Sequence, residues 1–278
     1  MLDEPAADAS PGPNWRLGCA GYHYEDWREV FFPPGTPKTR WLAAYAERFD
    51  TLELNNTFHA PPDHARCRKW AGQVPDGFRF VPKLWRGITH ERALWAGKAA
   101  LEDFLAATEG FGDKLGGVLM QLPPEVGYAA IDDLAALLEV WPDHVPCFLE
   151  FRSQTWFREE TNDLLRANRV VRVAAELELH PETAAISVTG ERLYCRLLGR
   201  HGRFDREDRE LFDPTPILRR WVTAIGLAVS HADGAVREVI VIFNNDLAGH
   251  APATLGRFAG LIGHPLPAPK PAQKAFDF

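Results

Sequence analysis

Charged and amide side chains in this sequence keep returning to one kind of position, the end of a short apolar run. Glu53 and Asn55 fall in Thr51–Asn55, Lys83 closes Phe78–Lys83, Gln121 closes Gly117–Gln121, and Glu150 and Arg152 close Pro146–Arg152. Arg196 lies in Arg192–Leu197, Asn244 closes Val239–Asn244, and Asn245 follows it. Two carboxylates among three cations suit acid–base work on a polar substrate, with Glu53 or Glu150 giving or taking a proton. Lys83, Arg152 and Arg196 would hold a phosphate or carboxylate, arginine offering a bidentate fork. The same residues also admit a purely structural reading. Buried charge is costly unless paired, so Glu53 and Glu150 would neutralise the three cations as a salt-bridge plug. Glu176, after the sixth run, makes three acids against three bases and leaves the sign of a ligand open.

Other chemistries find less support. The ten histidines are scattered, no HxH or HExxH spacing occurs, and none of the apolar runs ends in histidine, so no metal site is expected. No Walker loop and no GxGxxG occurs, and no cofactor is expected. Cys19, Cys67, Cys147 and Cys195 form no C-x-x-C pair and read as small buried hydrophobes. Tyr22, Trp27, Trp85 and Trp156 fall near the same ends and would either stack on a sugar or base or cap the fold.

The elements that must carry these residues alternate along the chain. Eight strand-length runs are expected: Trp15–Ala20, Thr51–Asn55, Phe78–Lys83, Gly117–Gln121, Pro146–Arg152, Val170–Ala175, Arg192–Leu197 and Val239–Asn244. Between them apolar residues recur at helical spacing, as in Trp41, Leu42, Tyr45 and Phe49 or Leu218, Trp221, Val222, Ile225 and Val229. The stretch Glu176–Gly190 lacks that period and is expected to be irregular. Strands joined by helix-length connections pair in parallel, and eight suit closure into a single (β/α)₈ TIM barrel of the α/β class. Alternation along each strand then sorts inside from outside. Leu52, Leu54, Phe78, Phe80, Leu149 and Phe151 would face helices, leaving Glu53, Arg79, Val81, Lys83, Glu150, Arg152, Tyr194 and Arg196 inward. The mouth formed by the strands' C-terminal ends is where barrel active sites lie.

The 278 residues carry a net charge of −7, which argues against a surface coated for nucleic acid. Nine tryptophans and seventeen phenylalanines promise a large core. Residues 1–14 read as a disordered leader without signal-peptide features, 15–264 as the barrel, and 265–278 as a disordered Pro-rich tail ending in Gln273–Phe278. No window is apolar enough to span a bilayer, and a soluble cytoplasmic protein is expected.

Gly18–Trp27 followed by Phe31-Phe32-Pro33, Glu53–Phe58, Phe80–Lys83 with Ile88–His90, Gln121–Pro124, Glu150–Arg152 with Trp156, and Phe243–Asp246 together resemble the YecE-like family, domain of unknown function 72. The likeness covers about residues 15 to 262 and implies a TIM barrel without an assigned activity. It also implies recurrent positions at Trp27, Glu53, Asn55, Lys83, His90, Gln121, Glu150, Arg152, Arg196, Asn244 and Asn245. The family often reads Arg-x-His-Gly after the seventh strand, where this chain has Arg196-Leu-Leu-Gly199; Leu198 cannot titrate, so any role of that histidine carries over only if His201 substitutes for it. Three functions follow as expectations. The first is a metal-independent enzyme on a small anionic or sugar-like substrate. The second is a nucleic-acid-processing barrel, its peptide Gln273–Phe278 docking on a replication sliding clamp. The third is a non-catalytic ligand-binding protein.

Overall fold

Runs of β-branched and aromatic residues at period two become strands, and apolar residues three and four apart become helices. The computed structural model describes residues 12–91, 94–178 and 180–268. Its strands are β1 (Asn14–Ala20), β2 (Thr51–Leu54), β3 (Arg79–Pro82), β4 (Val118–Gln121), β5 (Cys147–Glu150), β6 (Val171–Glu176), β7 (Arg192–Leu197) and β8 (Glu238–Phe243). All eight expected strands are present, each limit within two residues of its expectation. They pair in parallel in the order β3-β2-β1-β8-β7-β6-β5-β4. The two ends of that order, β3 and β4, meet through isolated parallel bridges at Phe80–Leu115 and Lys83–Leu119, so the barrel is nearly closed.

The helices cover the outside because each has an apolar stripe to hide. Trp41–Ala46 buries Trp41, Leu42 and Tyr45, Lys98–Thr108 buries Leu101, Phe104 and Leu105, and Thr215–His231 buries Leu218, Trp221 and Ile225. Between β2 and β3 runs His64–Ala71, started by the Asp63 carboxylate accepting from the Arg66 amide at 2.7 Å. Glu159–Ala167 links β5 to β6. Among the described residues no α-helix joins β6 to β7, and the expected irregular stretch holds a 3₁₀ turn, Pro181–Ala184.

Alternation sorts the side chains as expected. Val81, Leu119, Phe148, Val173, Tyr194 and Ile242 form the core inside the barrel, while Leu52, Leu54, Phe78 and Phe80 pack outward. Leu149 and Phe151 pack into a second helix-facing layer. Full burial of side chains of this size stabilises by roughly 1.5–3 kcal/mol each. The four cysteines are free and buried, filling space as small hydrophobes. Among the described residues no helix is long and apolar enough to cross a membrane. Most of the expected leader and tail, including Gln273–Phe278, lies outside the described residues.

Candidate functional site

The barrel's interior layer changes from apolar to ionic at the C-terminal strand ends. Glu53 on β2, Glu150 on β5 and Arg196 on β7 are 0%, 1% and 3% exposed. Arg196 donates from Nε and Nη2 to the two oxygens of Glu53, at 2.8 and 2.6 Å, and from Nη1 to Glu150 Oε2 at 2.5 Å. Tyr194 donates its hydroxyl to Glu53 Oε2 at 3.0 Å, and Arg152 Nε donates to Glu150 Oε1. All four carboxylate oxygens are thus occupied. Burial alone would raise the Glu150 carboxyl, but Arg196 and Arg152 more than reverse it and hold it at about 2. Burial disfavours the Arg196 cation too, and Glu150 and Glu53 more than compensate, keeping it charged.

Above this base opens a cavity of about 440 Å³. Arg196 reaches its wall from β7, and Arg152 and Lys83 from just past the ends of β5 and β3. Lys83 is placed differently from the arginines. Its Nζ donates to Gln121 Oε1 at 2.7 Å and sits 4.1 Å from the centre of the Phe58 ring. Among the described residues it has no carboxylate within ion-pair distance. Burial, and next the Arg196 charge, lower its ammonium to about 8. Asn55, also on the wall, has a buried Oδ1 without a hydrogen-bond partner.

The facing wall is acidic. Asp246 accepts from the Gly202 amide at 3.0 Å and from Asn244 Nδ2 at 3.3 Å, with His201 Nδ1 also at 3.3 Å. Glu207 stands in the same wall, its carboxyl raised by burial and then by Asp246 and Asp26. Gly199 allows this wall to form. Its φ is +74°, and a Cβ there would lie 2.3 Å from the Asp246 carbonyl oxygen, so only glycine lets the loop after β7 lie against the turn after β8.

The structure gathers Asn55, Lys83, Arg152, Arg196 and Asn244 around one cavity, with Gln121 behind Lys83. His90 stands one layer back, packed edge-on at 4.9 Å against Phe58, and burial followed by Lys83 lowers its imidazolium. Other expectations need correction. Glu176 does not belong to the mouth: it points outward to Arg220 and Trp221, accepting at 2.6 and 2.5 Å, because it continues the helix-facing parity of Ala174. Trp27 and Trp156 are fully buried and cannot stack on a ligand; their indoles donate to Asn245 Oδ1 at 3.2 Å and the Val126 carbonyl at 2.7 Å. Asn245 is itself buried, its Oδ1 also accepting from the Ala251 amide at 2.9 Å. Tyr22 and Trp85 are not on the cavity wall. Phe58, Tyr24, His59, Glu207 and Asp246 are on it, and period-two reasoning passed over them because they lie outside the strands. Among the described residues no three His, Cys, Asp or Glu side chains gather as a metal site.

Fold and site together define a (β/α)₈-barrel protein with an ionic base and a bipolar cavity at its mouth. Residues 16–275 match the family described as protein of unknown function DUF72. The chain belongs to that family. It is 30% identical over 170 residues to UPF0759 protein YunF of Bacillus subtilis, covering 54% of this chain and 56% of that protein. It is 29% identical over 138 residues to UPF0759 protein YecE of Escherichia coli K12, covering 47% of this chain and 51% of that protein. These matches span about half the length of those relatives. A crystal structure of a DUF72 family protein from Thermotoga maritima superposes with a TM-score of 0.73 at 25% identity, covering 90% of this chain and 99% of that one. A DUF72 family protein from Enterococcus faecalis, at 19% identity, gives 0.67 over 90% and 98% and shares the fold.

Proposed function

We propose that the mouth binds a small anionic, hydroxyl-bearing substrate and performs proton-transfer chemistry on it. Lys83 and Arg152 hold the anion, and Asn55 Oδ1 accepts from a hydroxyl. The Asp246–Glu207–His201 wall gives and takes the proton, every step being assigned to protein groups. Glu53 and Glu150 serve as the base that aims Arg196 and Arg152, not as the acid and base themselves. Every oxygen of the two carboxylates already accepts from a guanidinium, so both are committed to holding the arginines. The observation that carries this reading is Lys83, a cation lining the cavity with no carboxylate partner among the described residues. The plug therefore accounts for two of the three cations and leaves the third for a ligand. A cavity of about 440 Å³ also suits a molecule the size of a sugar phosphate.

Inorganic phosphate tests the binding half. Thermal unfolding should shift upward with concentration as RT ln(1 + [L]/Kd) in the wild type, and the shift should be lost in Arg152→Gln. Glu207→Gln tests the chemistry: it should retain ligand binding and lose turnover of any substrate found by screening phosphorylated polyols. Turnover unchanged in that variant would remove Glu207 from the mechanism. A ligand that every assay returns unaltered would make the protein a carrier.

A further inference from the structure

Lys83 has the surroundings of a nucleophile. Its Nζ is fixed by one neutral acceptor, Gln121 Oε1 at 2.7 Å, and one ring face, Phe58 at 4.1 Å. Neither neutralises it, and two guanidinium groups share its cavity. A lysine desolvated beside other cations favours its neutral amine, the form that attacks carbonyl carbon. A lysine serving only to bind an anion gains from staying charged, which a paired carboxylate would secure; here Glu53 and Glu150 are committed to Arg196 and Arg152 instead.

We propose that Lys83 forms a Schiff base with a small aldehyde or ketone that also carries an anionic group. This rests on the binding reading above and narrows its substrate class to anionic carbonyl compounds. The neutral Nζ lone pair attacks the carbonyl carbon, forming the C–N bond while the C=O π pair moves to oxygen. Transfer of one proton from nitrogen to that oxygen gives the neutral carbinolamine. An acid then protonates its hydroxyl; Glu207, a carboxyl on the same cavity wall that burial and Asp246 raise, is assigned that role. The nitrogen lone pair re-forms a double bond to carbon as water leaves, giving the protonated imine. Amine, carbonyl and the acid's proton become iminium and water, with no net oxidation. Hydrolysis reverses every step.

Reductive trapping tests this on the full chain. The protein is incubated with glyceraldehyde 3-phosphate and cyanoborohydride across neutral to alkaline pH, and the adduct is located by peptide mass spectrometry. The amine of Lys83 titrates near 8, against about 10.4 for an unperturbed lysine. It should therefore label about tenfold faster than Lys38, Lys69, Lys98 or Lys114 near pH 8. Its labelling should reach half its plateau near that pH. Lys83→Met should abolish the fast adduct, as should Lys83→Arg, which keeps the charge and guards against a misfolded variant. Labelling spread evenly over the lysines of the wild type would overturn the proposal. Phosphate stabilisation without a Lys83 adduct would refute the covalent step and leave anion binding standing. A Lys83 adduct forming as fast with glycolaldehyde, which bears no anion, would keep the nucleophile and refute the anionic requirement.

Discussion

Replacing Glu150 with glutamine removes one charge from the base of the site while keeping its size. The wild-type carboxyl, ordinarily at 4.5, is held at about 2 by Arg196 and Arg152 against the opposing effect of burial. At 1.36 kcal/mol per pH unit that difference is worth about 3 kcal/mol at neutral pH. In a chain of this size it corresponds to about 6–12 °C in Tm. Because the folded value lies below the unfolded one, the contribution is complete above the unfolded value of 4.5 and fades as pH falls through about 2. Glu150→Gln lacks it at every pH. Urea unfolding followed by tryptophan fluorescence should show a gap of about 3 kcal/mol near pH 7, shrinking steadily toward pH 2. A gap below about 0.5 kcal/mol at neutral pH, or one of constant size down to pH 2, would refute the assignment of Glu150 to the ionic base.

The other predictions use the same geometry. Arg196→Met leaves buried Glu53 without a cation and Glu150 with Arg152 alone, and should cost about 3–5 kcal/mol in urea unfolding; adding Glu53→Gln should recover part of that loss. Glu176→Gln should lower stability by about 1–3 kcal/mol through its bonds to Arg220 and Trp221. Because Glu176 faces away from the mouth, calorimetry should find anion affinity unchanged. Affinity for sulfate, whose own charge is constant, should fall as pH rises through about 8, where Lys83 loses its proton. In Lys83→Met that pH dependence should vanish.

The strands and their inward faces were legible because period two survives in the sequence wherever one face meets helices and the other the barrel interior. That alternation alone picks out Glu53, Lys83, Gln121, Glu150, Arg152 and Arg196. It failed where periodicity is weak. The helices His64–Ala71 and Glu159–Ala167 went unassigned because they are mostly polar and bury little, such as Cys67 and Trp70 in the first. Glu176 was misplaced for a different reason. The sixth strand runs one residue beyond its expected end, and that residue continues the outward parity. Asp246 and Glu207 reach the cavity from loops, and Phe58 from a single helical turn after β2, where no spacing rule points a side chain. Pairing was also beyond reach. Arg196 on β7 reaches Glu53 on β2 and Glu150 on β5, and alternation along a strand does not say which side chains meet across the barrel.

Titration calorimetry with glycerol 3-phosphate, an anionic polyol without a carbonyl, tests the anion-binding mouth apart from any covalent step. The wild type should bind it saturably at one site, and Arg152→Ala, losing a charge-assisted contact, should bind about 10- to 100-fold more weakly. No saturable heat with the wild type, or equal affinity in the two proteins, would contradict the account.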